Sequence, residues 1–103
     1  MEIVKPEDVI ARIRTEEAFF RSLGVCRLGL FGSFRRGEAR ADSDVDLLVE
    51  FEPGRKSFDS FMSLGFFLES ILGRRVELVT PESLSPYIGP RILREVQYVA
   101  FRG

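Results

Sequence analysis

Apolar positions along this chain change rhythm several times, and each change marks an element. Val9, Ile10, Ile13, Phe20 and Leu23 fall roughly on one helical stripe, which Glu16 and Glu17 interrupt. Pro6, Glu7 and Asp8 suit a helix start, with proline early and acids at the positive end, and Gly24 suits its stop. A helix over 6–23 is expected. The rhythm then becomes extended over 25–31, apolar apart from Arg27, until Gly32-Ser33 ends it, with a short helix or turn over 34–39. Over 45–51 it alternates, with Val45, Leu47, Val49 and Phe51 to one side and Asp46, Leu48 and Glu50 to the other.

A Pro-Gly loop over 52–56 leads to a third apolar run, capped by Ser57 or Asp59, ending at Leu72 and stopped by Gly73. This helix carries Phe58, Phe61, Met62, Leu64, Phe66, Phe67, Leu68, Ile71 and Leu72, spread around more than one face. A helix on one side of a small sheet buries only one face, so the surplus predicts a second contact surface, in a homo-oligomer or a complex with another protein. The alternative is that sheet and neighbouring helices cover all of it. A third strand is expected over 75–80, with Val76 and Leu78 inward and Glu77 on the opposite face. Beyond it, Pro81, Pro86 and Pro90 punctuate short helical turns through Ile92, Leu93 and Val96 that end near Arg102. Strand, strand, helix, strand predicts an α/β (α+β) fold, a small sheet flanked by helices in a single domain over 1–103.

Composition narrows the chemistry. Length, at 103 residues, suits one core rather than a catalytic plus a recognition domain. A net charge of −1 supplies no basic field for nucleic acid, although thirteen of the fifteen cations are arginine. There is no histidine, which removes Ser-His and Cys-His catalysis and histidine-ligated zinc together. Cys26 is the only cysteine, expected as a small core residue, and it precludes an intramolecular disulfide. With no leader-like start and no run near the ~20 apolar residues of a membrane span, a cytoplasmic enzyme or binding module is expected.

Candidate chemistry concentrates between Gly32 and Asp46. Asp44 and Asp46, two residues apart at the start of a strand, project from one face. Alone, such a pair is more often two solvated acids; held in a partly dry site, they require a cation between them, and magnesium is the natural occupant. The EF-hand reading of Asp42-Ser43-Asp44-Val45-Asp46 fails, because its glycine and glutamate positions hold Leu47 and Pro53. No P-loop run is present. Gly32 lets backbone approach a ligand, and Ser33 adds a hydroxyl and amides suited to an anion.

Gly32-Ser33, ten intervening residues, then Asp44-Val45-Asp46 resembles the signature of the DNA polymerase beta-like nucleotidyltransferase superfamily. Arg36-Gly37-Glu38-Ala39, residues 47–51 and residues 79–84 extend the resemblance to its minimal members, antitoxin partners of HEPN-domain toxins. The resemblance implies a polymerase beta-like fold, two magnesium ions on Asp44 and Asp46, and a nucleotide triphosphate on Gly32 and Ser33. The family's third carboxylate falls on Glu77, where most relatives carry aspartate; it implies a metal ligand or the base that takes the attacking hydroxyl's proton. Arg36 matches the family arginine, as a phosphate contact or a surface ion pair. The implied activity is transfer of AMP from ATP to a tyrosine of a HEPN ribonuclease. The alternative is an antitoxin that neutralises its toxin by binding alone. A small-molecule nucleotidyltransferase would need an acceptor domain that this length does not provide.

Overall fold

The computed structural model describes residues 2–101. Four strands form one sheet in the order β3-β2-β1-β4: β1 (Val25–Phe31), β2 (Val45–Phe51), β3 (Val76–Val79) and β4 (Gln97–Ala100). β1 pairs antiparallel with β2 and β4, whereas β3 runs parallel to β2. The sheet is therefore mixed, and the bounds of β1 and β2 coincide with those expected from the apolar run over 25–31 and the alternation over 45–51.

Register sorts the side chains. Leu28 and Leu30 of β1, Val45, Leu47 and Val49 of β2, and Val99 of β4 are buried together on one face. Helices α1 (Pro6–Arg14), α2 (Glu17–Ser22) and α4 (Phe58–Leu72) contribute Val9, Ile13, Phe20, Leu64, Leu68 and Leu72 to the same core. The opposite face carries Arg27, Phe31, Asp46, Leu48, Glu50, Glu77 and Tyr98. It is apolar in its middle, where Leu48 is fully buried, and charged at both ends. At one end Arg27 pairs with Glu50 at 3.0 Å and lies 3.6 Å over the Tyr98 ring. At the other end lie the acidic residues of the candidate site.

Three expectations are corrected. The first helix is not continuous over 6–23: it breaks at Thr15 and Glu16, and α2 begins at Glu17. Glu16 and Glu17 stand three and four positions after Ile13, so an unbroken helix would turn them toward the core that Ile13 enters. At the break, the Thr15 hydroxyl donates to the Arg12 carbonyl at 2.7 Å. Phe20 still reaches the interior and stacks on Phe101 with ring centroids 5.5 Å apart.

The second correction concerns the C-terminal segment. It is not only helical turns: α5 (Gly89–Glu95) is followed by β4, whose Val99 pairs with Leu28. Tyr98, Val99 and Phe101 suit a strand, but four residues with Gln97 at the entrance carry little periodic signal. The end expected near Arg102 lies outside the described residues. Third, Cys26 is half-buried rather than a core residue, because it sits where the β1–β2 register slips between Val25 and Arg27.

Smaller shifts occur elsewhere. Helix α3 (Gly32–Arg35) starts at the Gly-Ser turn itself, and Ser57, not Asp59, caps α4 by accepting the Ser60 amide at 3.0 Å. Phe20 is fully buried among aromatic and aliphatic partners, so Phe20→Ala is expected to cost about 3–5 kcal/mol. Chemical denaturation checks this, and a midpoint unchanged from the parent chain would contradict the packing described.

Candidate active site

β1 delivers the chain to the site at Phe31, which lies opposite Asp46 in the antiparallel register. Gly32 follows with φ +75°, a left-handed conformation that β-carbon-bearing residues rarely adopt. A methyl group there would overlap the Asp46 carboxylate. Glycine is thus required twice, by backbone torsion and by close approach. Ser33, half-buried, comes next in the first turn of α3, where amides lack intrahelical acceptors. The turn and the first strand acid therefore pack against each other, as the spacing suggested.

The expected carboxylates meet through the parallel β2–β3 pairing. Asp46 and Glu77 are register partners, so their side chains stand beside each other on the sheet face away from the core. Asp44 lies two residues before Asp46, exposed, just ahead of β2. Asp46 is half-buried, and its pKa is pushed from 3.8 up to about 6, first by desolvation and then by the Glu77 and Asp44 charges, with Arg36 opposing. Among the described residues, no three His, Cys, Asp or Glu side chains form a ready-made metal cluster. The donor chemistry nevertheless fits a hard divalent cation: burial and the Glu77 and Asp44 carboxylates disfavour the Asp46 anion, and Arg36 offsets them only in part.

Two residues that sequence reasoning missed hold this arrangement. Arg74, between α4 and β3, donates through Nη1 to the carbonyls of Arg40, Ala41 and Ser43 at 3.0–3.1 Å and through Nη2 to the Ile3 carbonyl at 2.8 Å. Its guanidinium also lies 4.8 Å from the centre of the Phe34 ring. It thereby pins both ends of the ten-residue spacer between Ser33 and Asp44. Glu95, at the end of α5, accepts the Gly32 amide at 2.7 Å and Arg36 Nη1 at 3.1 and 3.2 Å. Nothing in the local pattern sets either residue apart, since both act across more than thirty positions. Arg36 itself is in ion pairs, with Glu38 at 2.9 Å and with Glu95. Arg35 is exposed beside α1.

Comparison with known proteins bears on the family and the fold. Residues 12–99 match the nucleotidyltransferase domain family. The chain belongs to that family. Among relatives of this nucleotidyltransferase domain is the protein adenylyltransferase MntA of Thermococcus cleftensis, 51% identical over 76 residues, which are 74% of this chain and 76% of the relative. A solved structure described as a minimal nucleotidyltransferase is 40% identical, with a TM-score of 0.77 over 90% of this chain and 94% of that one. Two more distant structures share the fold. A toxin–antitoxin complex with AMP-PNP is 22% identical with a TM-score of 0.68, covering 86% of this chain and 70% of its own. The Shewanella oneidensis complex of a tri-AMPylated HEPN toxin with its MNT antitoxin is 20% identical with a TM-score of 0.54, covering 82% and 69%.

The acidic pairing sets a pH dependence for this nucleotidyltransferase domain. An acid whose folded pKa lies above its unfolded value weakens the fold once it ionises. The cost is absent below the ordinary value and complete above about pH 6. The elevation of Asp46 corresponds to at most about 3 kcal/mol, which half-exposure and solvent screening reduce to about 1 kcal/mol. Without metal, Asp46→Asn is therefore expected to raise the melting temperature at pH 7.5 by about 4 °C. The gain should vanish near pH 4; a gain of the same size at both pH values, or none at either, would show that ionised Asp46 carries no cost from burial and the neighbouring acids.

Proposed function

We propose that this chain is a magnesium-dependent protein adenylyltransferase that transfers AMP from ATP to a tyrosine hydroxyl of a HEPN-domain toxin. The observation that carries the reading is the juxtaposition of Asp46 and Glu77 across β2 and β3, with the Gly32 turn pressed onto Asp46. It is supported by identity to a protein adenylyltransferase and by the fold shared with complexes of toxin and antitoxin. A minimal domain with an exposed site suits a protein acceptor. A nucleotide donor and the absence of any helix among the described residues long and apolar enough to cross a membrane accord with a cytoplasmic setting.

Asp44 and Asp46, with Glu77 beside them, would hold two magnesium ions, which supply charge neutralisation for the triphosphate. Gly32 lets the turn come close, the Ser33 hydroxyl and the amides of the α3 turn bind phosphate oxygens, and Arg36 adds a guanidinium donor. The tyrosine oxygen attacks the α-phosphorus in line. Its bond to phosphorus forms as the bond to the bridging oxygen breaks, and pyrophosphate leaves with that electron pair. Glu77 accepts the hydroxyl proton. No covalent enzyme intermediate is needed, consistent with a chain that has no histidine and one half-buried thiol.

Incubation with labelled ATP, magnesium and the cognate HEPN protein is expected to label the toxin, and Asp44→Ala with Asp46→Ala to abolish labelling. Transfer that survives both substitutions would refute the assigned site. Tight binding without transfer by the wild-type chain would establish neutralisation by binding alone.

The partner surface we propose is the outer stripe of α4. Phe58, Met62 and Phe66 stand at four-residue intervals and are 77%, 37% and 65% exposed, while Leu64, Leu68 and Leu72 fill the core from the other side. Phe58 and Phe61 border an open groove of about 590 Å³ against Leu78 and Val79 of the edge strand β3, and Met62 and Phe66 line a second one of about 260 Å³ against Val76 and Leu78. Substituting Phe58 and Phe66 together by serine is expected to weaken toxin binding at least about tenfold without lowering the melting temperature. Unchanged affinity would move the interface elsewhere.

A further inference from the structure

Glu95 has no part in the signature that marks the site, yet it joins two of the site's components. Its Oε2 accepts the Gly32 amide at 2.7 Å and lies 3.2 Å from Arg36 Nη1, while its Oε1 lies 3.1 Å from the same nitrogen. Glu38 takes Arg36 Nε at 2.9 Å. Two of the three guanidinium nitrogens are thus held by carboxylates, and among the described residues Nη2 has no hydrogen-bond acceptor. We propose that Glu95 is a positioning residue for nucleotide binding, locking the Gly32 turn and aiming Arg36 so that Nη2 meets a phosphate oxygen. This rests on the reading of the Gly32 turn, with Ser33 and Arg36, as the triphosphate site.

Two physical considerations separate this role from that of a carboxylate that merely occupies a phosphate position. Gly32 is buried, so a departing Glu95 would leave its amide without a partner. That holds Glu95 in place when nucleotide arrives. Arg36 is an exposed, rotamer-rich side chain, and holding it in advance removes an ordering cost from binding. The same contacts explain why the C-terminal segment matters to a site built at the other end of the sequence. α5 brings Glu95 against α3, and β4 anchors α5 to the edge of β1.

The test uses the full chain and AMP-PNP with magnesium, measured by isothermal titration. Glu95→Gln retains an acceptor for the Gly32 amide but loses the negative charge that faces Arg36. It is expected to weaken AMP-PNP binding about three- to tenfold, with KM for ATP rising in parallel and kcat within about twofold. Arg36→Met should weaken binding at least as much, and Glu95→Gln should add little in that background, because it acts through Arg36. If Glu95→Gln does not fold, Glu95→Asp replaces it in the same cycle; its shorter side chain keeps the charge but cannot span both contacts. Affinity equal to the parent's, or tighter, overturns the proposal, tighter binding marking Glu95 as a competitor of phosphate. A full additional loss on top of Arg36→Met also overturns it. A parent chain that binds no nucleotide refutes the nucleotidyl-transfer reading itself, and this inference with it; a parent that binds while Glu95→Gln is unchanged refutes the inference alone.

Discussion

The contact between Gly32 and Asp46 is the constraint on which the rest of the candidate site depends. It forces the end of β1 against the start of β2, so the strand that ends in the turn and the strand that begins with the acids must be antiparallel neighbours. No side chain can intervene, and the half-buried carboxylate is therefore shielded on one side by backbone rather than by a solvated residue. Its elevated pKa follows from that shielding as much as from the acids around it. A surface Asp-x-Asp pair in open water would have neither property.

Spacer geometry follows from the same contact. Ten residues must leave the turn, pass around the end of the sheet and return to Asp44. Arg74 gathers three of their carbonyls and ties them to Ile3 near the N-terminus. A lysine could not do this: the planar fork reaches carbonyls on two segments at once. Glu95 applies a comparable hold from the opposite side, on the turn and on Arg36. The spacer's length and the two distant residues form one mechanical unit, although they are scattered over most of the chain.

That scatter decides what could be read in the sequence. β1, β2 and α4 are local objects, with alternation, a serine cap and a left-handed glycine stop written into consecutive residues. The turn and the acid pair stood out because their spacing is itself the signature; Glu77 was reached through the family resemblance, with strand periodicity setting only its face, opposite Val76 and Leu78. Arg74 and Glu95 were not, since a guanidinium that collects carbonyls and a carboxylate that braces a turn are defined only by where the chain folds back. The break at Thr15 left a trace, the two acids on an apolar stripe, whose meaning depended on how closely the core approached Ile13. β4 is short enough that only its pairing with β1 makes it a strand.

The parallel pairing of β2 with β3 has a consequence for how the domain comes into being. A hairpin can close over two residues, but parallel neighbours need a connection that returns to the starting edge, and here α4 supplies it. Asp46 and Glu77 cannot become neighbours until that helix has formed and docked its Leu64, Leu68 and Leu72 on the sheet. Asp44 and Asp46 are neighbours in the chain itself, whereas Glu77 joins them only through the β2–β3 pairing, so the three-acid cluster is a property of the folded domain.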